Sequence, residues 1–213
     1  MSNTIHKEVL SEEQLEVLDI VKHFCSEGFY LAGGTALALQ IGHRKSVDFD
    51  LFKNSEIDSK DILKTILDMK IDRNQIEVLI DTVDEYTLFI KNVKFTFLYY
   101  PFNISDITTL DGISMATPLA IATMKAYALG RRGKWKDYVD LYTIFQSISY
   151  KDVLTKTTSI FGSLFSEKMF LQQLCYFDDL DREEIVWLGD VKKDRDMEKF
   201  LTELSLRESV SNC

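Results

Sequence analysis

Two carboxylates two residues apart, Asp48 and Asp50, sit in the stretch Val47-Asp48-Phe49-Asp50-Leu51-Phe52. On a strand the side-chain period of two throws both acids to one face and Val47, Phe49 and Leu51 to the other. Neighbouring negative charges repel unless water or a cation offsets them, and in a cleft two such carboxylates are oxygen ligands for a divalent cation such as Mg2+. Magnesium favours a few carboxylates combined with phosphate oxygens and water, so a phosphate-binding turn is expected close by. Gly33-Gly34-Thr35, running into Ala36-Leu37-Ala38-Leu39, fits that need. Glycines let backbone N–H groups approach a phosphate, and the start of a helix favours negative charge. The spacing is neither that of a P-loop nor that of a dinucleotide fingerprint.

A second set lies further along. Lys125, Leu129 and Arg132 share a helix face by i, i+4, i+7 spacing. The run Gly130-Arg-Arg-Gly-Lys-Trp-Lys136 places four positive charges around one tryptophan, a combination that can neutralise phosphate and stack a base. Asp137 and Asp140 follow at helical spacing; they either serve the same chemistry or offset Lys134 and Lys136 on a helix surface, Lys136 and Asp140 being i, i+4.

The elements that must position these residues can be read from period and punctuation. Ser11 with Gln14 forms a capping box for a helix ending at Gly28. Phe29 to Leu31 is a short strand feeding the glycine turn, and the small-residue helix after it stops near Gly42. Asp58 or Ser59 caps a helix with the stripe Ile62, Leu63, Ile66 and Leu67. Strands follow at 76–80, 86–90 and 93–100, with Asn92 at a hairpin corner. At Thr117-Pro118 a capping residue and a first-turn proline open an all-helical part, with helices near 118–131, 136–147, 151–160, 163–176 and 191–206, the acids from Asp178 to Glu184 solvated, and a frayed tail from Ser205. The class is therefore α+β, with a mixed sheet flanked by helices over residues 1–115 and a helical bundle over 116–213.

Composition narrows the function. A formal charge of −9 argues against a surface that binds nucleic acid indiscriminately, so such contact must be local. Three scattered cysteines, Cys25, Cys175 and Cys213, suggest neither a disulfide framework nor a zinc site. No apolar run reaches the roughly 18 residues of a membrane span, and Met1 to Glu8 lacks the apolar core of a signal peptide, so no membrane partner and a cytoplasmic location are expected.

The stretch Tyr30-Leu-Ala-Gly-Gly-Thr-Ala-Leu-Ala-Leu-Gln-Ile-Gly-His-Arg-Lys-Ser-Val-Asp-Phe-Asp-Leu-Phe52 resembles the hallmark of AbiEii/AbiGii-type toxins, within the polymerase-β-like nucleotidyltransferase superfamily. A second block is similar: Met124-Lys125-Ala126 with Lys136-Asp-Tyr-Val-Asp-Leu-Tyr142. The resemblance implies a nucleotidyltransferase-like N-terminal domain in which Gly33, Gly34 and Thr35 hold a nucleoside triphosphate and Asp48 and Asp50 hold Mg2+ or Mn2+. It also implies that Lys125 steadies a phosphate and that Asp137 positions groups or handles a proton, and the shared helix face adds Arg132 as a second candidate for nucleotide binding. The implied reaction moves a nucleotide onto an RNA or protein acceptor, in a toxin restrained by an antitoxin protein. One departure stands out. The superfamily commonly draws a third carboxylate from a later strand, whereas Val93-Lys-Phe-Thr-Phe-Leu-Tyr-Tyr100 has none. Thr96, a water, Glu77 or Asp81 can replace it, or catalysis is lost and a nucleotide- or partner-binding module remains.

Overall fold

The computed structural model describes residues 5–129, 131 and 133–211. The chain packs as two compact units, Met1–Thr117 and Pro118–Cys213.

In the first unit the Ser11 capping box forms. Its hydroxyl accepts the Gln14 amide at 3.2 Å, and Gln14 Oε1 accepts the Ser11 amide at 3.0 Å. The helix it starts, α1 (Glu12–Glu16), does not run on to Gly28; it breaks at Val17 (φ −108°, ψ 7°) and resumes as α2 (Leu18–Ser26). The break turns Val17, Leu18, Val21 and Phe24 inward and leaves Leu15, expected in the apolar stripe, 44% exposed. Strand β1 (Tyr30–Ala32) leads into α3 (Gly33–Ile41), which Gly42 ends in the left-handed region, its amide bonding to the Ala38 carbonyl at 2.7 Å. Next come β2 (Asp48–Lys53) and α4 (Ser59–Asp68), the latter capped by Asp58. Strands β3 (Ile76–Asp81), β4 (Glu85–Ile90) and β5 (Val93–Tyr99) follow, with Lys91 and Asn92 both at positive φ in the β4–β5 turn. A hairpin that the residue pattern did not suggest completes the unit: β6 (Ile107–Leu110) and β7 (Ile113–Ala116), turned at Asp111-Gly112 with φ of 50° and 77°.

These strands form one mixed sheet in the order β3-β4-β5-β2-β1-β7-β6. β1 and β2 are antiparallel at the centre, and each has a parallel outer neighbour, β7 beside β1 and β5 beside β2. One face is apolar: Leu31, Phe49, Leu51, Leu88, Phe95 and Phe97 are fully buried, and Phe24 of α2 meets Phe97 with ring centroids 4.6 Å apart. Each such side chain taken out of water contributes roughly 1.5–3 kcal/mol, which locks the register of β2 and so sends Asp48 and Asp50 to the other face. Val47, expected inward, is 60% exposed because the strand begins one residue later. At the sheet edge β3 slips register between Val78 and Ile80, a bulge that bends an otherwise exposed apolar strand.

The second unit is helical: α5 (Pro118–Ala128), α6 (Trp135–Ile144), α7 (Tyr150–Phe161), α8 (Glu167–Leu174) and α9 (Asp194–Ser211). Tyr127 of α5 stacks on Phe161 of α7 at 4.0 Å, and Tyr142 of α6 meets the edge of Phe200 of α9. The helix expected from Ser163 begins only at Glu167, where Ser166 accepts the Met169 amide. The tail is not frayed from Ser205: that hydroxyl is buried and donates to the Leu171 carbonyl at 2.7 Å, so α9 continues to Ser211. Among the described residues no helix is long and apolar enough to cross a membrane.

Candidate active site

The site in the first unit grows from the β1–α3 junction. Register sets Ala32 opposite Asp50, so the chain leaving β1 must turn directly over that carboxylate. Gly33 makes the turn at φ +71°, and a Cβ there would lie 2.7 Å from Asp50 Oδ2. Only glycine combines that backbone angle with that approach. At Gly34 a Cβ would strike the Arg44 guanidinium and come 3.2 Å from Ser46 Oγ. Thr35 is buried; its hydroxyl bonds Ser46 Oγ at 2.8 Å and donates to the Asp48 carbonyl, fastening turn to acid strand rather than facing solvent. Arg44 is 2% exposed and donates from Nη1 to the Lys45 carbonyl. Arg44 and Ser46 were missed as site residues, although both lie inside the stretch that carries the family resemblance, between the glycines and the acids.

Asp48 and Asp50 thus share a face next to a glycine turn, and their hard oxygen donors suit Mg2+ or Mn2+. The N-cap of α3 is Ala32, which has no side-chain acceptor to offer the first-turn amides. The candidates for a third acid are not gathered here. Glu77 and Asp81 lie on β3, three strands from β2, and Asp81 pairs with Tyr86 on the packed face. Opposite Asp48 stands Lys94, with Nζ 3.7 Å from Asp48 Oδ2, and opposite Asp50 stands Thr96. Among the described residues no three His, Cys, Asp or Glu side chains converge as a metal site.

The other predicted residues lie in the helical unit. Lys125 of α5 is 5% exposed, its Nζ 2.5 Å from Asp137 Oδ1 and 2.9 Å from Asp140 Oδ2 of α6. Asp140 thus pairs with Lys125, while Lys136 bonds Glu183; three residues apart, Asp137 and Asp140 present one helix face to the Lys125 ammonium. Arg132 lies outside the described residues. The expected base-stacking patch is overturned: Trp135 is 1% exposed, stacked on Tyr138 and covered by the Arg182 guanidinium 4.5 Å above its ring. A large apolar ring gains more from burial than from display. Lys134 bonds Asp181 and Lys136 bonds Glu183, so two acids of the stretch expected to be solvated, still half exposed, pair with the two lysines of the basic run. Asp181 raises the Lys134 pKa, and Lys136 lowers that of Glu183. Burial pushes the Tyr138 hydroxyl up to about 12.

A mixed sheet with paired acids under a glycine turn, followed by helices, is the frame of a nucleotidyltransferase. The chain is similar in fold to MenT4, a nucleotidyltransferase toxin of Mycobacterium tuberculosis H37Rv (TM-score 0.57, 12% identity, 89% of this chain and 80% of that one). It is also similar to JHP933 of Helicobacter pylori (TM-score 0.54, 20% identity, 95% and 97% covered). Identities this low speak for the fold alone. An uncharacterized protein of Aquifex aeolicus (strain VF5) is 32% identical over 187 residues, covering 83% of this chain and 86% of the relative. The model of the nucleotidyl transferase AbiEii toxin family, a type IV toxin–antitoxin system, matches residues 16–208. The chain belongs to that family and is a nucleotidyltransferase.

Proposed function

We propose that the protein transfers a nucleotide from a nucleoside triphosphate to a hydroxyl of an RNA or protein acceptor in the cytoplasm, as a toxin restrained by an antitoxin. The observation that carries this reading is the Asp50 carboxylate held beneath the Gly33 turn, where one cation and one polyphosphate can be gripped together. Asp48 and Asp50 hold the divalent ion, Mg2+ or Mn2+. When bound, that ion neutralises phosphate charge and orients the triphosphate for in-line attack. Gly33 and Gly34 keep the turn free of side chains, so the first amides of α3 reach phosphate oxygens. Thr35, Ser46 and Arg44 hold turn and acid strand in one arrangement. The resemblance assigns Lys125 to a phosphate; Asp137 and Asp140 fix its ammonium in place. The acceptor oxygen bonds to the α-phosphorus as the bond to pyrophosphate breaks, and the hydroxyl proton leaves to solvent or base.

Incubation with each α-labelled nucleoside triphosphate, Mg2+, and total cellular RNA or protein tests the proposal. Label transfer by the wild type, lost in Asp50→Ala, is expected, together with growth arrest on expression that the same substitution relieves. Nucleotide binding by calorimetry with no transfer from any nucleotide to either acceptor class refutes it and leaves the binding module.

A further inference from the structure

Strand β3 is one edge of the sheet, and from Glu77 to Asp81 every residue is exposed. Val78, Leu79 and Ile80 are three large apolar side chains in a row, and Val83, in the turn to β4, is 79% exposed. The bulge between Val78 and Ile80 twists this edge without covering it. Gln75 and Thr82 bond inward: the Gln75 carbonyl accepts the Lys91 amide at 3.0 Å, and the Thr82 amide donates to the Glu85 carbonyl at 2.8 Å. Alternation on either side of the bulge then turns the main-chain groups of Ile76, Val78 and Asp81 outward. Arg73 donates to the Ile76 carbonyl at 2.9 Å, so the open stretch runs from Val78 to Asp81. Charge follows the same line. Residues 74–90 hold Glu77, Asp81, Asp84 and Glu85 and no lysine or arginine. Of the cations that flank this hairpin, Arg73 is bound to main chain and Lys91 lies 3.4 Å from Glu16. Glu85 accepts the Thr87 hydroxyl at 2.6 Å, and among the described residues none of the four acids is ion-paired.

We infer that this edge is a docking site for an extended segment of another protein, one that alternates apolar with basic residues and adds to the sheet beside β3. Main-chain bonds to Val78 and Asp81 give such a segment its grip, apolar side chains cover Val78, Leu79, Ile80 and Val83, and lysine or arginine meets the carboxylates. Edges that must stay unpaired carry lysine or proline, or are covered. This one is apolar and acidic instead, which repels a like edge and admits a basic one. A second copy of the chain does not fit. β3 against β3 sets the same carboxylates together, and the other edge strand, Ile107-Thr-Thr-Leu110, has no basic residue to offer. Nucleic acid does not fit either, since its phosphates carry the sign of the hairpin. An occupant of β3 lies three strands from β2, roughly 14 Å away at the usual strand spacing, and leaves Asp48 and Asp50 untouched. The inference therefore stands apart from the reading of the acid pair.

The full-length protein is titrated at physiological salt into four fluorescent probes: a peptide alternating lysine and valine, one alternating lysine and proline, one alternating glutamate and valine, and oligouridylate. The proline peptide keeps the charge but cannot pair as a strand. Anisotropy should show the lysine–valine peptide bound at least about tenfold more tightly than the lysine–proline one, with the glutamate peptide and the RNA unbound. Amide hydrogen exchange should slow at Val78 and Asp81 when the lysine–valine peptide is present. Glu77→Lys with Asp81→Lys, its fold checked by thermal melting, should reverse the preference, weakening the lysine–valine peptide about tenfold and taking up the glutamate one. Failure of the lysine–valine peptide to bind, equal binding of the two lysine peptides, or protection outside β3 overturns the inference. So does protection of β3 by oligouridylate, or a wild-type dimer that the double substitution dissolves.

Discussion

Gly33→Ala is the sharpest probe of how the acid and the turn are joined. The backbone there has φ +71°, where a side chain costs about 1–2 kcal/mol. The new methyl would also stand 2.7 Å from Asp50 Oδ2, closer than real contacts allow, so the carboxylate must leave its rotamer at a cost of about 1 kcal/mol. Together these come to about 2–3 kcal/mol, or a fall in Tm of about 8–12 °C at about 4 °C per kcal/mol for a unit of this size. The decisive measurement is a double-mutant cycle by urea unfolding. With Asp50→Ala already present, the methyl meets no carboxylate and only the backbone part remains, so the two substitutions should couple by about 1 kcal/mol. The displaced carboxylate should also lower nucleotide transfer at least about a hundredfold. If Gly33→Ala costs the same with and without Asp50, the carboxylate does not lie against the turn and the site as drawn is wrong.

Lys125→Met takes the ammonium away from the buried carboxylates of Asp137 and Asp140 and should destabilise the helical unit by about 3–5 kcal/mol; a thermal melt within a degree or so of wild type would deny the lock. Burial pushes the Tyr138 hydroxyl up to about 12, whereas in the unfolded chain it ionises near the ordinary tyrosine value of 10.0. Its stabilising effect is therefore complete below pH 10 and lost as pH climbs to 12, and Tyr138→Phe should flatten the alkaline fall in Tm. Asp181→Asn with Glu183→Gln releases Lys134 and Lys136. Later elution from heparin is expected with little change in melting, since exposed ion pairs contribute about 1 kcal/mol or less; unchanged elution would mean the lysines are neutralised by something else.

The site in the first unit was legible in the chain because its parts are local. Gly33, Gly34, Asp48 and Asp50 lie within two dozen residues, and strand alternation alone puts the acids on one face. Lys94 was not legible, because its place beside Asp48 comes from a parallel crossover that no periodicity announces. Lys134 and Lys136 were misread for a related reason: partners more than forty residues away cancel them, and charge runs show sign but not pairing. The β6–β7 hairpin went unseen because its strands are four residues each and only partly apolar, although Asp111-Gly112 is a strong turn signal. Trp135 shows the commonest hazard: an aromatic among lysines reads as a display surface until the acidic segment that roofs it is in view.

The strand order has a consequence for biosynthesis. The two central strands, β1 and β2, come early in the chain, but their flanking strands, β5 and β7, arrive only as synthesis approaches Ala116. Pairing of this kind is non-local and slow to close. A nascent chain can already carry Gly33, Gly34, Asp48 and Asp50 while the strands that flank them are unmade, so the sheet that braces the turn is completed only once Ala116 has been added.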